Sequence, residues 1–133
     1  MVCHGIPNEK PLKDGDIINI SSIIGSIASD DFGNLYGYRA SKSALNAVTH
    51  AMSLNLKDRG ITVIPFHPGF VKTDMGGPGA DIEIDESVTG IKSVVDKVTI
   101  ADTGRYLTWE GGHPRWDPVS HRGGVHASRG PAH

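Results

Sequence analysis

A single cysteine, Cys3, stands in the 133 residues. That excludes an internal disulfide and a cysteine-rich zinc site. It fits a reducing compartment, so a cytoplasmic location is expected. No apolar run reaches the roughly 18 residues a membrane span needs. Met1 to Lys13 lacks the apolar core of a secretory signal. No membrane partner is therefore expected. An excess of positive charge is missing too: 13 Lys and Arg stand against 15 Asp and Glu, a formal net charge of −2. Nothing in that balance points to nucleic acid. What is present is an ordinary globular composition, 38% hydrophobic and 21% charged, at a length that suits one domain.

The pattern along the chain alternates. Residues 1–15 read as a polar lead-in broken by Pro7, Pro11 and Gly15. Asp16 to Ser21, "DIINIS", reads as a short strand. Asn19-Ile20-Ser21 is formally a glycosylation sequon, but a strand that is to be buried makes a poor acceptor. A loop rich in Gly, Ser and Asp follows. A helix is expected from about Leu35 to Lys57, because Ala44, Leu45, Val48, Ala51 and Met52 recur at helical spacing. Lys57, Arg59 and Gly60 suit its carboxyl end. Ile61 to His67 reads as a second strand, Pro68 to about Asp81 as a Gly/Pro-rich loop. A second helix should start near Asp85, with Val88, Ile91, Val95 and Val98 as its apolar stripe. Arg105 to Trp109 reads as a third strand. Residues 117–133 carry few large apolar side chains and are expected to be a disordered tail. Residues 16–116 then form one α/β domain, strand-helix-strand-helix-strand, with a parallel sheet and right-handed crossovers.

Within that frame, Tyr38 and Lys42 lie four residues apart and share a helix face. A free tyrosine hydroxyl has a pKa near 10, and a neighbouring ammonium favours the phenolate. Such a pair can move a proton at a carbonyl or alcohol carbon. A solvated lysine beside a half-buried tyrosine gives the same spacing, so the pair means little alone. Its surroundings add meaning. Ser21 and Ser22 end the first strand, and His67-Pro68-Gly69 ends the second. In a parallel sheet both ends lie on one edge, the edge where ligands bind. The seven histidines suggest metal only at first glance. His4, His50, His67 and His113 lack ligand-like spacing, and His121, His126 and His133 fall in the expected tail, so no metal site is expected.

"DIINISSIIGSI", "YGYRASKSALN" and "ITVIPFHPGFVKTDMGG", in that order, resemble the C-terminal half of a short-chain dehydrogenase/reductase. "HPGFVKTDMGGP" and "TGRYLTWEGGHPRW" are most similar to the C-factor/sniffer-like carbonyl reductase subgroup. The resemblance implies a partial Rossmann-like, doubly wound sheet and an NAD(P)-dependent oxidoreductase acting on a small carbonyl or alcohol. It implies Tyr38 as general acid/base and Lys42 as the lysine on the nicotinamide ribose. It implies Ser22 as the serine on the substrate oxygen, with Ser21 as the alternative if the strand end slips. Pro68, Gly69, Val71 and Thr73 would hold the nicotinamide end, through a backbone group near Val71 and the Thr73 hydroxyl. A plain turn at Pro68-Gly69 and a cap at Thr73 are the competing structural readings.

The family's fold begins with an apolar strand, a glycine-rich turn and a helix that receive the cofactor pyrophosphate. Met1 to Gly15 supplies none of these, and "GGPG" at 76–79 follows the second strand instead. The chain thus reads as lacking the N-terminal cofactor-binding half. Three functions compete: a truncated carbonyl reductase or alcohol dehydrogenase, with NADP or NAD as cofactor; a non-enzymatic interaction protein, pairing through an exposed sheet edge and the Tyr38-bearing helix, which also offers a dimer surface; and an inactive remnant. A Ser/His/Asp hydrolase is a weaker rival, for no Gly-x-Ser-x-Gly elbow is visible.

Overall fold

The computed structural model describes residues 15–29 and 33–115. The expected lead-in up to Asp14 and the expected tail 117–133 lie outside the described residues. Three strands, β1 (Ile17–Ile20), β2 (Val63–His67) and β3 (Leu107–Thr108), alternate with two helices, α1 (Tyr36–Leu56) and α2 (Ile84–Val95). The strands pair in parallel in the order β1-β2-β3, with Ile18 opposite Ile64 and Phe66 opposite Leu107. The expected α/β architecture is the observed one. The expected loop before α1 contains two short 3-10 turns, Ile23–Gly25 and Ile27–Ser29. α1 closes as its sequence indicates: a 3-10 turn at Lys57–Arg59 leads into Gly60, at φ 72°. There glycine avoids the left-handed penalty.

The register divides the sheet into two faces of different chemistry. Ile18, Ile64, Phe66 and Leu107 form a buried apolar cluster, against which Ile20, Ile91, Val94, Val95, Val98 and Trp109 pack. This is the α2 face, and it uses three of the four stripe positions expected for α2. Val88 is 55% exposed instead, and Ser87 is the buried residue of the first turns. The Ser87 hydroxyl is engaged by the Pro68 carbonyl at 2.6 Å, which turns the helix start toward the loop after β2.

The opposite face belongs to α1 and is polar. The Asn19 amide donates to the Thr49 hydroxyl at 2.9 Å, and the Ser21 hydroxyl donates to Asn46 Oδ1 at 2.5 Å. Asn19 is buried in β1, closed off as a glycosylation acceptor. The buried residues of α1 are Asn46, Thr49 and Ser53. The apolar positions expected to face the sheet do not: Ala44, Val48 and Ala51 are exposed, while Leu45 and Met52 are half-buried. Small and polar side chains let the helix approach the sheet closely and hydrogen-bond to it. The apolar repeat of α1 therefore marks its outer face.

With strands in the order β1-β2-β3 and the helices on opposite faces, the two crossovers have opposite hands. The expectation of right-handed connections throughout holds for only one of them. The rule depends on a twisted strand feeding directly into its helix. A long connection separates strand from helix in both units, between Ile20 and Tyr36 and between His67 and Ile84, so loop length does not account for the difference between them.

Candidate active site

Ser22, Tyr38, Lys42 and the start of the loop after β2 lie toward the carboxyl ends of β1 and β2. Ser22 follows β1 and caps the turn Ile23–Gly25, its Oγ accepting the Ile24 N–H at 3.4 Å. With the oxygen's lone pair so occupied, the hydroxyl proton is free to point elsewhere. Ser21 is buried and committed to Asn46. The two serines at this strand end thus have different work: Ser21 faces the α1 interior, and Ser22 sits at the turn.

α1 supplies the other two groups. Lys42 Nζ donates to the Ile20 carbonyl at 3.1 Å. It also lies 5.6 Å from the centroid of the Tyr38 ring, within cation–π range. Because the Ser21 N–H points to Phe66 O on β2, the Ile20 carbonyl of the same peptide must point to the opposite edge of β1. Lys42 therefore closes the last acceptor on the edge of β1 away from β2. Tyr38 and Lys42 are both half-buried.

Gly25 and Ser43 set the spacing between turn and helix. A Cβ on Gly25 would come within 2.8 Å of the Lys42 backbone carbon, so only glycine lets the turn lie on α1 there. The Ser43 hydroxyl donates to the Gly25 carbonyl at 2.9 Å, and Arg39 Nη1 reaches Ile24 O at 3.4 Å. The Ser26 hydroxyl donates to the Arg115 carbonyl, drawing the segment after β3 back over the same turn. Nothing in the sequence pattern singles out these residues. Only the close approach of turn and helix reveals them.

From β2, His67 Nδ1 accepts the Ile23 N–H at 3.2 Å. Burial pushes the imidazole below its usual pKa. Beneath this layer lies Tyr106, which is 1% exposed. Burial pushes its hydroxyl up to about 12, against the opposing pull of hydrogen bonding from Ser21 and Asn46.

The loop after β2 starts at Pro68-Gly69. Gly69 has φ 91°, and a Cβ there would lie 2.5 Å from Ile82 Cδ1 and 2.9 Å from Trp109 Nε1. Glycine is thus required twice over, by the left-handed backbone and by close packing. Val71 bridges Ile82, but the two hydrogen bonds run from Lys72 N to Ile82 O and from Ile82 N to Phe70 O. The Val71 N–H takes part in neither. The Thr73 hydroxyl accepts the Gly76 N–H at 3.1 Å and so caps its own turn. An open cleft farther along this loop is lined by Lys72, Thr73, Asp74, Gly77, Pro78 and Ile84. Of the expected site residues it touches only Thr73. The structure therefore draws Ser22, Tyr38, Lys42 and the Pro68 end of the loop to one edge, while Thr73 sits in the cleft with its hydroxyl in the turn.

A family model described as short chain dehydrogenase matches residues 4–81, more than half of the chain. The chain belongs to the short-chain dehydrogenase family. The C-signal protein of Myxococcus xanthus is 37% identical over 100 residues, covering 75% of this chain and 60% of that protein. Carbonyl reductase Sniffer of D. melanogaster superposes with a TM-score of 0.74 at 40% identity, covering 76% of this chain and 41% of the other. An NADPH-bound carbonyl reductase from chicken fatty liver gives a TM-score of 0.70 at 42% identity, covering 76% and 42%. The chain spans about half the length of the relatives it matches.

The residues present fit the nicotinamide end of such a cofactor: the Lys42 amine has protons beyond the one it gives the Ile20 carbonyl, and the Val71 N–H lies outside the two bonds of its bridge to Ile82.

Proposed function

We propose that residues 16–116 form the substrate-side half of an NAD(P)-dependent carbonyl reductase or alcohol dehydrogenase, with Ser22, Tyr38 and Lys42 as its catalytic groups. The observation that carries this reading is the Lys42 amine, held between the Ile20 carbonyl and the Tyr38 ring at the strand ends. A reduced nicotinamide cofactor supplies hydride when bound. Tyr38 gives its hydroxyl proton to the substrate oxygen in reduction and takes it back in oxidation. Ser22 donates a hydrogen bond to the same oxygen, its orientation set by the Ile24 N–H. Lys42 holds positive charge beside the tyrosine ring and offers its remaining protons to ribose hydroxyls. Val71 N–H would meet the carboxamide, Pro68 and Gly69 would shape the approach, and Thr73 would contribute its hydroxyl by leaving its turn. The substrate is a small carbonyl or alcohol. A cytoplasmic setting goes with the single cysteine. Among the described residues, no helix is long and apolar enough to cross a membrane.

The test is a titration with NADPH and with NADH, followed by tryptophan fluorescence beside circular dichroism. Saturable binding at micromolar cofactor, with carbonyl-dependent NADPH oxidation that Tyr38→Phe lowers by at least ~100-fold, is the expected result. Turnover unaffected by that substitution would overturn the assignment.

A second reading rests on a separate observation. Val48 and Leu54 on the outer face of α1 are 55% and 64% exposed, and β1 is an edge strand among the described residues. Both surfaces suit a second protein chain, and the α1 face suits a dimer. In this reading the chain acts by pairing with another chain, or is inactive.

A further inference from the structure

We propose that His67 is a positioning residue: its neutral imidazole accepts the Ile23 N–H and fixes the turn behind Ser22 to the end of β2, and protonation releases that turn. The bond spans 3.2 Å and joins residues 44 apart in sequence. Ile23 is the first residue of the turn that Ser22 caps. Its N–H is one of the donors that the start of such a turn leaves without a partner of its own. Ser22 Oγ takes the Ile24 N–H, and His67 takes the one before it. The two together complete the cap.

His67 is well placed for this task because its own backbone is held. It pairs with Thr108 of β3 in the parallel register, and its carbonyl accepts the Trp109 N–H at 3.0 Å. The imidazole is therefore a rigid acceptor on a central strand. To accept at Nδ1, the neutral ring must carry its proton on Nε2. A second proton would have to go on Nδ1, where an N–H would then face an N–H. The hydrogen bond becomes a repulsion, and the turn loses its tie to β2.

The surroundings support this polarity. β1, the turn Ile23–Gly25 and β3 bring no titratable side chain. α1 brings Tyr38, Lys42 and Arg39, whose Nη1 reaches the Ile24 carbonyl of the turn at 3.4 Å; Tyr106, just before β3, lies buried beneath; and α2 brings Asp85 and Glu86 in its first turn beside Pro68. None of these sets the direction for His67. Burial alone does so, and it favours the neutral ring. The bond is thus made at neutral pH and lost on acidification through a midpoint below the ordinary histidine value of about 6.5.

The consequence for turnover rests on the reading of Ser22 given above; the bond itself does not. The experiment separates the two. Amide and imidazole resonances of the isotopically labelled 133-residue chain are followed from pH 8 to pH 4.5. The Ile23 amide is expected to shift, and its exchange protection factor to fall about tenfold, with the midpoint of the His67 ring. In His67→Asn, Oδ1 replaces Nδ1 as acceptor without titrating, so the amide stays protected and the midpoint disappears. His67→Gln serves as a second non-titrating acceptor, and His67→Ala loses protection at every pH. Should His67→Ala fail to fold, the Asn and Gln variants carry the test. An Ile23 amide that stays unchanged while the His67 ring titrates would overturn the proposal. So would a midpoint that survives in His67→Asn. If Ser22→Ala leaves turnover untouched while the Ile23 midpoint follows His67, the role of Ser22 falls and that of His67 stands.

Discussion

At the scale of single residues, Ser21 and Ser22 show how neighbours diverge once a strand ends. Both residues are buried. Ser21 donates to Asn46 in the contact between β1 and α1, and Ser22 accepts from its own turn at a longer distance. Their substitutions should therefore separate. Ser21→Ala leaves the Asn46 oxygen buried without its donor, which costs about 1–3 kcal/mol and should lower the denaturation midpoint. Ser22→Ala removes only a weak cap bond, so stability should hardly change. If Ser22 has the role proposed for it, carbonyl reduction should fall by roughly 100-fold, the usual effect of removing a hydrogen bond to a reacting oxygen. Equal losses of stability in the two variants, read by urea unfolding, would contradict this division. From the sequence, the two serines are interchangeable to within one step of register. Only the direction in which each side chain points distinguishes them.

At the scale of elements, most boundaries are legible in the sequence. The expected strand Asp16 to Ser21 is found at Ile17–Ile20, and the expected helix Leu35 to Lys57 at Tyr36–Leu56 with a final 3-10 turn. β3 is shorter than the apolar run Arg105 to Trp109 suggests. Gly104 and Thr103 already satisfy the backbone of Val63, so the ladder starts only at Leu107. The orientation of α1 was not legible. Its apolar repeat is real but faces outward, while Asn46, Thr49 and Ser53, at i, i+3 and i+7, face the sheet. A polar stripe at helical spacing opposite a strand containing Asn19 and Ser21 was the available signal. Apolar periodicity concealed it. Thr49 is the test of this contact. Its hydroxyl accepts from Asn19 at 2.9 Å and donates to the Leu45 carbonyl at 2.6 Å. Thr49→Val keeps the shape and strands the Asn19 amide in the interior. We expect a loss of about 1–3 kcal/mol. A neutral or stabilising result by thermal denaturation would show that shape alone docks α1.

At the scale of the whole molecule, the outer face of α1 and the far edge of β1 stand open among the described residues. An open edge presents unpaired backbone groups and invites pairing. Here Lys42 occupies its last carbonyl, so Ile18 is left as the central position able to accept a new strand. The outer face of α1 is the more readily tested surface. Val48→Glu together with Leu54→Glu places charge on it without touching the sheet. We expect light scattering to shift toward the monomer, with folding stability within about 0.5 kcal/mol of the unsubstituted chain. An unchanged molar mass from an associated state would exclude this face as the contact.

The unlike faces of the sheet also differ in how they respond to temperature. Releasing apolar surface raises heat capacity, whereas releasing polar surface lowers it. The heat-capacity change of unfolding should therefore come mainly from the α2 face, with its isoleucines, valines and Trp109. Apolar burial also weakens on cooling. In a chilled sample α2 should loosen before α1. The helix bearing Tyr38 and Lys42 would then keep its seat while the buttress on the other side of the sheet gives way.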